Sequence, residues 1–134
     1  MKLRIANIDD HLEMILPGLK DIHAKYSPDW QVEDVVEECR AGRWILVVSD
    51  EPGFAMFSIT EHRFTRDRQL FIEVACHPNT DKTVKHYQEF WDFMARKFSC
   101  KEICMVSKRK GWEKLGWVGG WIQYSRSVPE ARNG

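Results

Sequence analysis

The stretch "RQLFIEVACHPNTDKTVKHYQEF", residues 68–90, decides the fold. Its first ten residues, through His77, are mostly β-branched, aromatic or apolar and read as a strand. Pro78 and Asn79 make a turn. From about Thr80, the residues Val84, Tyr87, Phe90, Trp91, Met94 and Phe98 recur at helical spacing. They predict a long amphipathic helix ending near Phe98, with Thr80 or Asp81 as its N-cap. A strand feeding a helix leaves unpaired N–H groups at the junction, and glycines there let a backbone cradle an anion. This junction has no glycine, and none occurs between Gly53 and Gly111.

Upstream, "RWILVVSD", "GFAMFSITEH" and "RQLFIEVACH" are three strand-like runs. They are separated by the turn "DEPG" and the polar loop "RFTRDR", which predicts an antiparallel meander. Earlier still, "KLRIA" is a short strand, and Asn7 or Asp9 can cap the helix after it. Ile8, Leu12, Ile15, Leu16, Leu19, Ile22 and Tyr26 mark this first helix, which Pro17 should kink or divide. After the turn "SPDW", Val32, Val35, Val36 and Cys39 stripe a second, short helix that stops at Gly42. Downstream, "KEICMV" is a strand, "KGWEKLGW" a short helix closing at Gly116, and "GWIQYSRSV" a last strand.

The expected fold is α/β (α+β), in the order β-α-α-β-β-β-α-β-α-β. It is one domain over residues 1–128, with a flexible tail over 129–134. The long helix joins the third meander strand to "KEICMV" by a right-handed crossover, so those two strands should be parallel. The sheet is then mixed but mainly antiparallel, flanked by helices. Strict alternation along the third meander strand puts Glu73 with Phe71, Ala75 and His77, opposite Ile72 and Val74.

Bulk properties narrow the function. With 134 residues, 43% hydrophobic and 30% charged, the chain suits one domain with a real core. Six Trp and seven Phe make it aromatic-rich. Lys plus Arg equals Asp plus Glu, which argues against nucleic-acid binding. The local run "KRKGWEK" reads as a solvated loop. No apolar stretch is long enough for a bilayer and the N-terminus is too polar for a signal peptide, so a cytoplasmic protein without membrane contact is expected. Cys39, Cys76, Cys100 and Cys104 lack metal-ligand spacing and read as reduced, mostly buried thiols, with no metal expected.

Three phrases, in this order, resemble the GNAT superfamily of N-acetyltransferases. They are "LRIANIDDHLEMI" at the start, "LFIEVACHP" on the central strand and "GWEKLGW" near the end. The resemblance covers Leu3 to about Val128, and the last phrase is its most specific part. It implies an acyl-CoA N-acyltransferase-like fold in which the central strand splays from its parallel neighbour. Acetyl-CoA would lie in the gap, beside Val74, Ala75, Cys76 and Trp112. Its pyrophosphate would sit on the N–H groups of Lys82, Thr83 and Val84.

The family pattern at this junction is Gln/Arg-x-x-Gly-x-Gly/Ala. Here Asp81 stands where Arg or Gln is expected. Lys82, Val84 and His86 stand where small residues are expected.

Acyl transfer needs a base, oxyanion donors and an acid. By resemblance, Glu73 is the base candidate. The alternative is a strand carboxylate paired with Arg63, Arg66 or Arg68. His77 and His62 are further bases or solvated strand-end residues. The oxyanion donor would be a backbone N–H near Val74 to Cys76. The closing phrase usually carries a Tyr as acid. Trp112 occupies that place and its indole is no acid at neutral pH, so Tyr124 is the substitute. Trp112, Trp117 and Trp121 otherwise read as packing of the small helix on the sheet.

Two functions are implied. One is an N-acetyltransferase acting on an amine, with an altered cofactor loop. The other is a non-catalytic module of the same fold that binds a protein. The chain also looks similar to small GNAT-like proteins of tailed bacteriophages, which implies a head-assembly or virion-associated role. Trp30, Trp44 and Trp121 would form an interaction patch if exposed and core if buried.

Overall fold

The computed structural model describes residues 1–78, 80–107, 112–119, 126–127 and 129. Five strands form one sheet in sequential order: β1 Leu3–Ala6, β2 Ile45–Ser49, β3 Phe54–Glu61, β4 Arg68–Cys76 and β5 Glu102–Met105. The first four pair antiparallel, while β4 and β5 pair parallel across the helix between them. That is the mixed sheet expected of a meander followed by a helical crossover. Three helices flank it: α1 Leu12–Tyr26, α2 Val32–Arg40 and α3 Asp81–Lys97. Short 3-10 turns occupy Ile8–Asp10 and Trp112–Leu115. The expected final strand lies mostly outside the described residues, and so do Trp121 and Tyr124. Arg126 and Ser127 are described and carry no strand.

Period-two alternation sorts the sheet into two faces. Leu46, Val48, Phe54 and Met56 turn toward Ile15 and Leu19 of α1 and Val35 and Val36 of α2. Val47, Ala55 and Phe57 turn the other way, onto Tyr87, Trp91, Met94 and Ala95 of α3. The sheet is thus buried on both sides, which is why β2 and β3 read as nearly continuous apolar runs. Trp30 and Trp44 pack against the first of these cores and are partly exposed.

Local chemistry differs from expectation at the helix starts. Asn7 caps only the 3-10 turn, accepting the Asp9 N–H at 3.0 Å. α1 begins one turn later, after His11, which makes no side-chain cap. Pro17 neither ends nor divides α1. A proline deletes one intrahelical bond, whereas the fully buried Ile15 and Leu19 hold the helix to the sheet on both sides of it. At α2, the Asp34 carboxylate accepts the Gln31 N–H at 2.8 Å and closes the first turn.

Two glycines are demanded by close approach. At Gly18, a Cβ would stand 2.7 Å from Cε1 of Phe54, which is itself buried and cannot swing away. Although alanine is the better helix former by about 1 kcal/mol, Gly18→Ala is expected to lose about 1–3 kcal/mol through overpacking. Urea denaturation would show a lowered midpoint. Gly53 has φ +126°, and a Cβ there would meet the Cys76 carbonyl oxygen and His77 Cβ at 3.0 Å each. The β2–β3 turn is therefore seated tightly against the end of β4.

Candidate functional site

The candidate site lies where β4 leaves β5. Their pairing runs from Gln69 opposite Glu102 to Ile72 opposite Met105. β5 ends there, while β4 continues through Glu73, Val74, Ala75 and Cys76. The β4–β5 pairing thus stops before the segment where the sequence places a cofactor gap.

β4 also contains a β-bulge, and this corrects the expected facing of its residues. Met56 pairs with Val74 but Phe57 pairs with Ile72, so Glu73 is the extra residue. Leu70 and Ile72 belong to the α3 side, whereas Val74 and Cys76 belong to the α1/α2 side. Ala75 and His77 are turned toward α3, where they join Ile72 in lining a cleft. Glu73 therefore does not share a face with Ala75 and His77. Its Oε1 accepts the Ser58 hydroxyl at 3.0 Å, and Ser58 lies in register with the α1/α2 side of β3.

Two of the three expected arginine partners of Glu73 are engaged elsewhere. Arg63 lies over the Phe64 ring, and Arg66 stands 3.9 Å from Glu61. Burial raises the Glu73 carboxyl above the usual carboxylate range. The Ser58 hydrogen bond opposes this, and the Glu38 charge adds to it.

Stability should follow from that shift. A carboxyl whose pKa is raised by folding adds stability fully present below its unfolded pKa and lost as pH rises through the folded value. Glu73→Gln keeps an acceptor for Ser58 but has no such loss. Urea midpoints should favour the variant more at pH 7 than at pH 4. An equal gap at both would contradict the buried-carboxyl account.

The junction itself is self-capped. Thr80, not Asp81, is the N-cap. Its Oγ1 accepts the Thr83 N–H at 3.2 Å and donates to Thr83 Oγ1 at 2.9 Å. The Val84 N–H bonds the Thr80 carbonyl at 3.0 Å. Of the three N–H groups expected to meet a pyrophosphate, only that of Lys82 has no partner among the described residues. Asp81 is exposed in the first turn, adding negative charge where a phosphate would approach.

His77 is not a solvated strand end. Its ring stacks on Tyr87 with centroids 4.2 Å apart and planes 14° from parallel, and its Nδ1 lies 3.2 Å from the Pro78 carbonyl oxygen. His62, at the far end of the sheet, accepts the N–H groups of Phe64 and Thr65 at 3.3 Å and orders the hairpin loop. The Trp112 indole donates to Ser107 Oγ at 3.0 Å and lies edge-on to Trp117. Together with His77 and Tyr87, these two tryptophans line the parted-strand cleft, whose room is about 50 Å³.

That volume holds only about three to five waters. Pockets for small molecules generally run to roughly 300–1,000 Å³. As arranged, the described residues do not fit the acetyl-CoA arm that the sequence resemblance implies. Aromatic rings line the notch at the end of the β4–β5 pairing and leave it narrow.

Sequence reasoning missed Ser58 and Trp117 as site residues. Ser58 was visible as the only polar residue in the run "FAMFSI". Tyr87 read correctly as part of the α3 core stripe, but nothing local ties it to His77.

The thiols are partly rather than mostly buried, and burial pushes Cys39 up to about 11. No metal-binding cluster occurs among the described residues. Nor is any described helix long and apolar enough to cross a membrane.

With this geometry in view, the chain can be placed by class. Its architecture is that of the GNAT acetyltransferases. It superposes on ribosomal-protein-alanine N-acetyltransferase from Brucella melitensis biovar Abortus 2308 with a TM-score of 0.69 and 13% identity, covering 96% of this chain and 100% of that one. For glucosamine-6-phosphate N-acetyltransferase from Arabidopsis thaliana the TM-score is 0.67 at 18% identity, covering 94% and 97%. A predicted acetyltransferase with acetyl-CoA from Clostridium acetobutylicum gives 0.68 at 13% identity, covering 92% and 95%. At such identities the likeness is one of fold. No family model and no curated protein sequence matches the chain.

Proposed function

We propose that this chain uses the acetyltransferase fold as a protein-binding module without acetyl-CoA chemistry. The observation that carries this reading is the narrow notch: the His77–Tyr87 stack, with Trp112 and Trp117, lines the space beside the unpaired end of β4 and leaves room of about 50 Å³. The self-capped start of α3 supports it, because Thr80 takes N–H and carbonyl bonds that a phosphate site would leave open. The bacteriophage resemblance suggests a virion or head-assembly protein as the partner.

A second reading, amine acetylation from acetyl-CoA, is favoured by one observation. Glu73 sits on a bulge with a raised pKa and a hydroxyl partner. In that reading Glu73 would take the amine proton, the β4 edge at Val74 to Cys76 would donate to the oxyanion, and His77 would assist. Tyr124, as the acid, lies outside the described residues.

The two readings separate in an assay for free thiol released from acetyl-CoA in the presence of a panel of primary amines. The binding-module reading expects no release above a protein-free control. Amine-dependent release that Glu73→Gln abolishes would establish the enzyme instead.

A further inference from the structure

We propose that His62 is a proton-operated catch for the β3–β4 hairpin loop. Its neutral ring holds the segment Phe64–Thr65, and protonation releases that segment while the hairpin itself stays closed. The device lies apart from the cleft and holds under either functional reading.

Two sets of bonds, different in kind, shape the loop 62–67. The first is made by the backbone. The His62 N–H donates to the Asp67 carbonyl at 2.7 Å, and the Arg66 N–H donates to the His62 carbonyl at 3.0 Å. Arg66 takes the left-handed conformation, φ +65°. The second set depends on one side chain. His62 Nδ1 accepts the N–H groups of both Phe64 and Thr65 at 3.3 Å. Asn and Asp cap turns in the same way, by accepting the N–H two residues on. Imidazole Nδ1 is bonded to Cγ just as Asn Oδ1 is, so the ring imitates that cap. Asn accepts at any pH, whereas imidazole accepts only through a bare nitrogen.

A backbone N–H can only donate. Nδ1 must therefore keep its lone pair, and the proton of the neutral ring must sit on Nε2. A second proton goes to Nδ1. It turns the shared acceptor into a donor facing two donors, so both bonds are lost together. His62 is exposed, and protons reach it freely. Order at Phe64 and Thr65 is thus present while the ring is neutral and is lost as pH falls. At 3.3 Å both bonds are long, and the backbone set does not involve the ring, so the release is local.

The charges bordering the loop do not offer the protonated ring a free partner. Glu61 lies 3.9 Å from Arg66, and Asp67 lies 3.3 Å from Lys101. Glu102, on β5, accepts from Gln69 at 3.1 Å. Arg63 lies over the Phe64 ring, and Arg68 stands in register with Glu61 on β4. Each carboxylate here already has a partner, and the remaining neighbours are cations that a charged ring would repel.

The experiment is amide hydrogen exchange by NMR on the intact protein at pH 8 and pH 5, the window in which histidine ordinarily changes charge. Rates are corrected for intrinsic exchange. Protection at Phe64 and Thr65 should fall at least about threefold at the lower pH, the equilibrium factor of one modest hydrogen bond. Protection at Arg66 should not change. His62→Asn should keep Phe64 and Thr65 protected at both pH values, and His62→Ala should leave them unprotected at both. Unchanged protection of Phe64 and Thr65 in the unaltered protein would overturn the proposal without recourse to a variant. An equal loss at Arg66 would also overturn it, because the whole hairpin would then be fraying. The same pH dependence in His62→Asn would do so too, by assigning the effect to Glu61 or Asp67.

Discussion

Phe57→Ala is expected to destabilise the protein by about 3–5 kcal/mol, the range for a buried aromatic truncated in a core. Phe57 is fully buried on the central strand β3, between Ile45 of β2 and Ile72 of β4. Its ring meets Trp91 edge-on at 5.6 Å and lies 6.4 Å from Phe98. It therefore ties the sheet to the middle of α3 and to the C-cap residue that follows it. Total stability of such a domain is only about 5–15 kcal/mol, so a large fraction would be lost. Urea denaturation followed by tryptophan emission should show a much lower midpoint with an unchanged slope. A loss below about 1 kcal/mol would mean that the second core collapses around the gap.

Tyr87→Phe is expected to act in the opposite direction, raising stability by about 1–3 kcal/mol. That is the usual cost of a buried polar group without a partner. The ring stays in place against His77 and Trp91, and only the orphaned hydroxyl is removed. The same burial pushes the phenol up to about 12, so the group is neutral at all ordinary pH and its charge plays no part. Thermal melting and urea midpoints should both rise. A destabilised variant would show that the hydroxyl is satisfied in the folded protein.

Most of the fold was legible because its signals are local. The α3 stripe from Val84 to Phe98, the turn at "DEPG" and the polar hairpin loop each specify their element without help from distant residues. The parallel pairing of β4 with β5 then followed from handedness. The bulge was not legible. Nothing in "LFIEVACH" marks an extra residue, since bulges are fixed by the pairing of two strands and β3 supplies half of that information. The error in placing Glu73 beside Ala75 and His77 comes directly from applying strict alternation through it. The His77–Tyr87 stack was hidden for a related reason: it depends on how α3 docks beside the end of β4. By contrast, the self-capped character of the α3 start was readable from Thr80 and Asp81, with only the choice between them left to the structure.

The self-capped junction and the narrow cleft point the same way. A phosphate site needs open N–H groups, and here Thr80 closes the first turn. A pantetheine slot needs room beside the unpaired end of β4, and here five ring-bearing side chains line a cleft of about 50 Å³. The two cores, around Leu19 and Phe54 on one face and Phe57 and Trp91 on the other, hold the sheet between its helices.

The most direct measurement is calorimetric titration of acetyl-CoA into the protein at neutral pH. A closed cleft and a self-capped helix start should give no binding heat at millimolar acetyl-CoA. Micromolar binding that Val84→Glu abolishes would contradict both, and would place acetyl-CoA in the cleft after all.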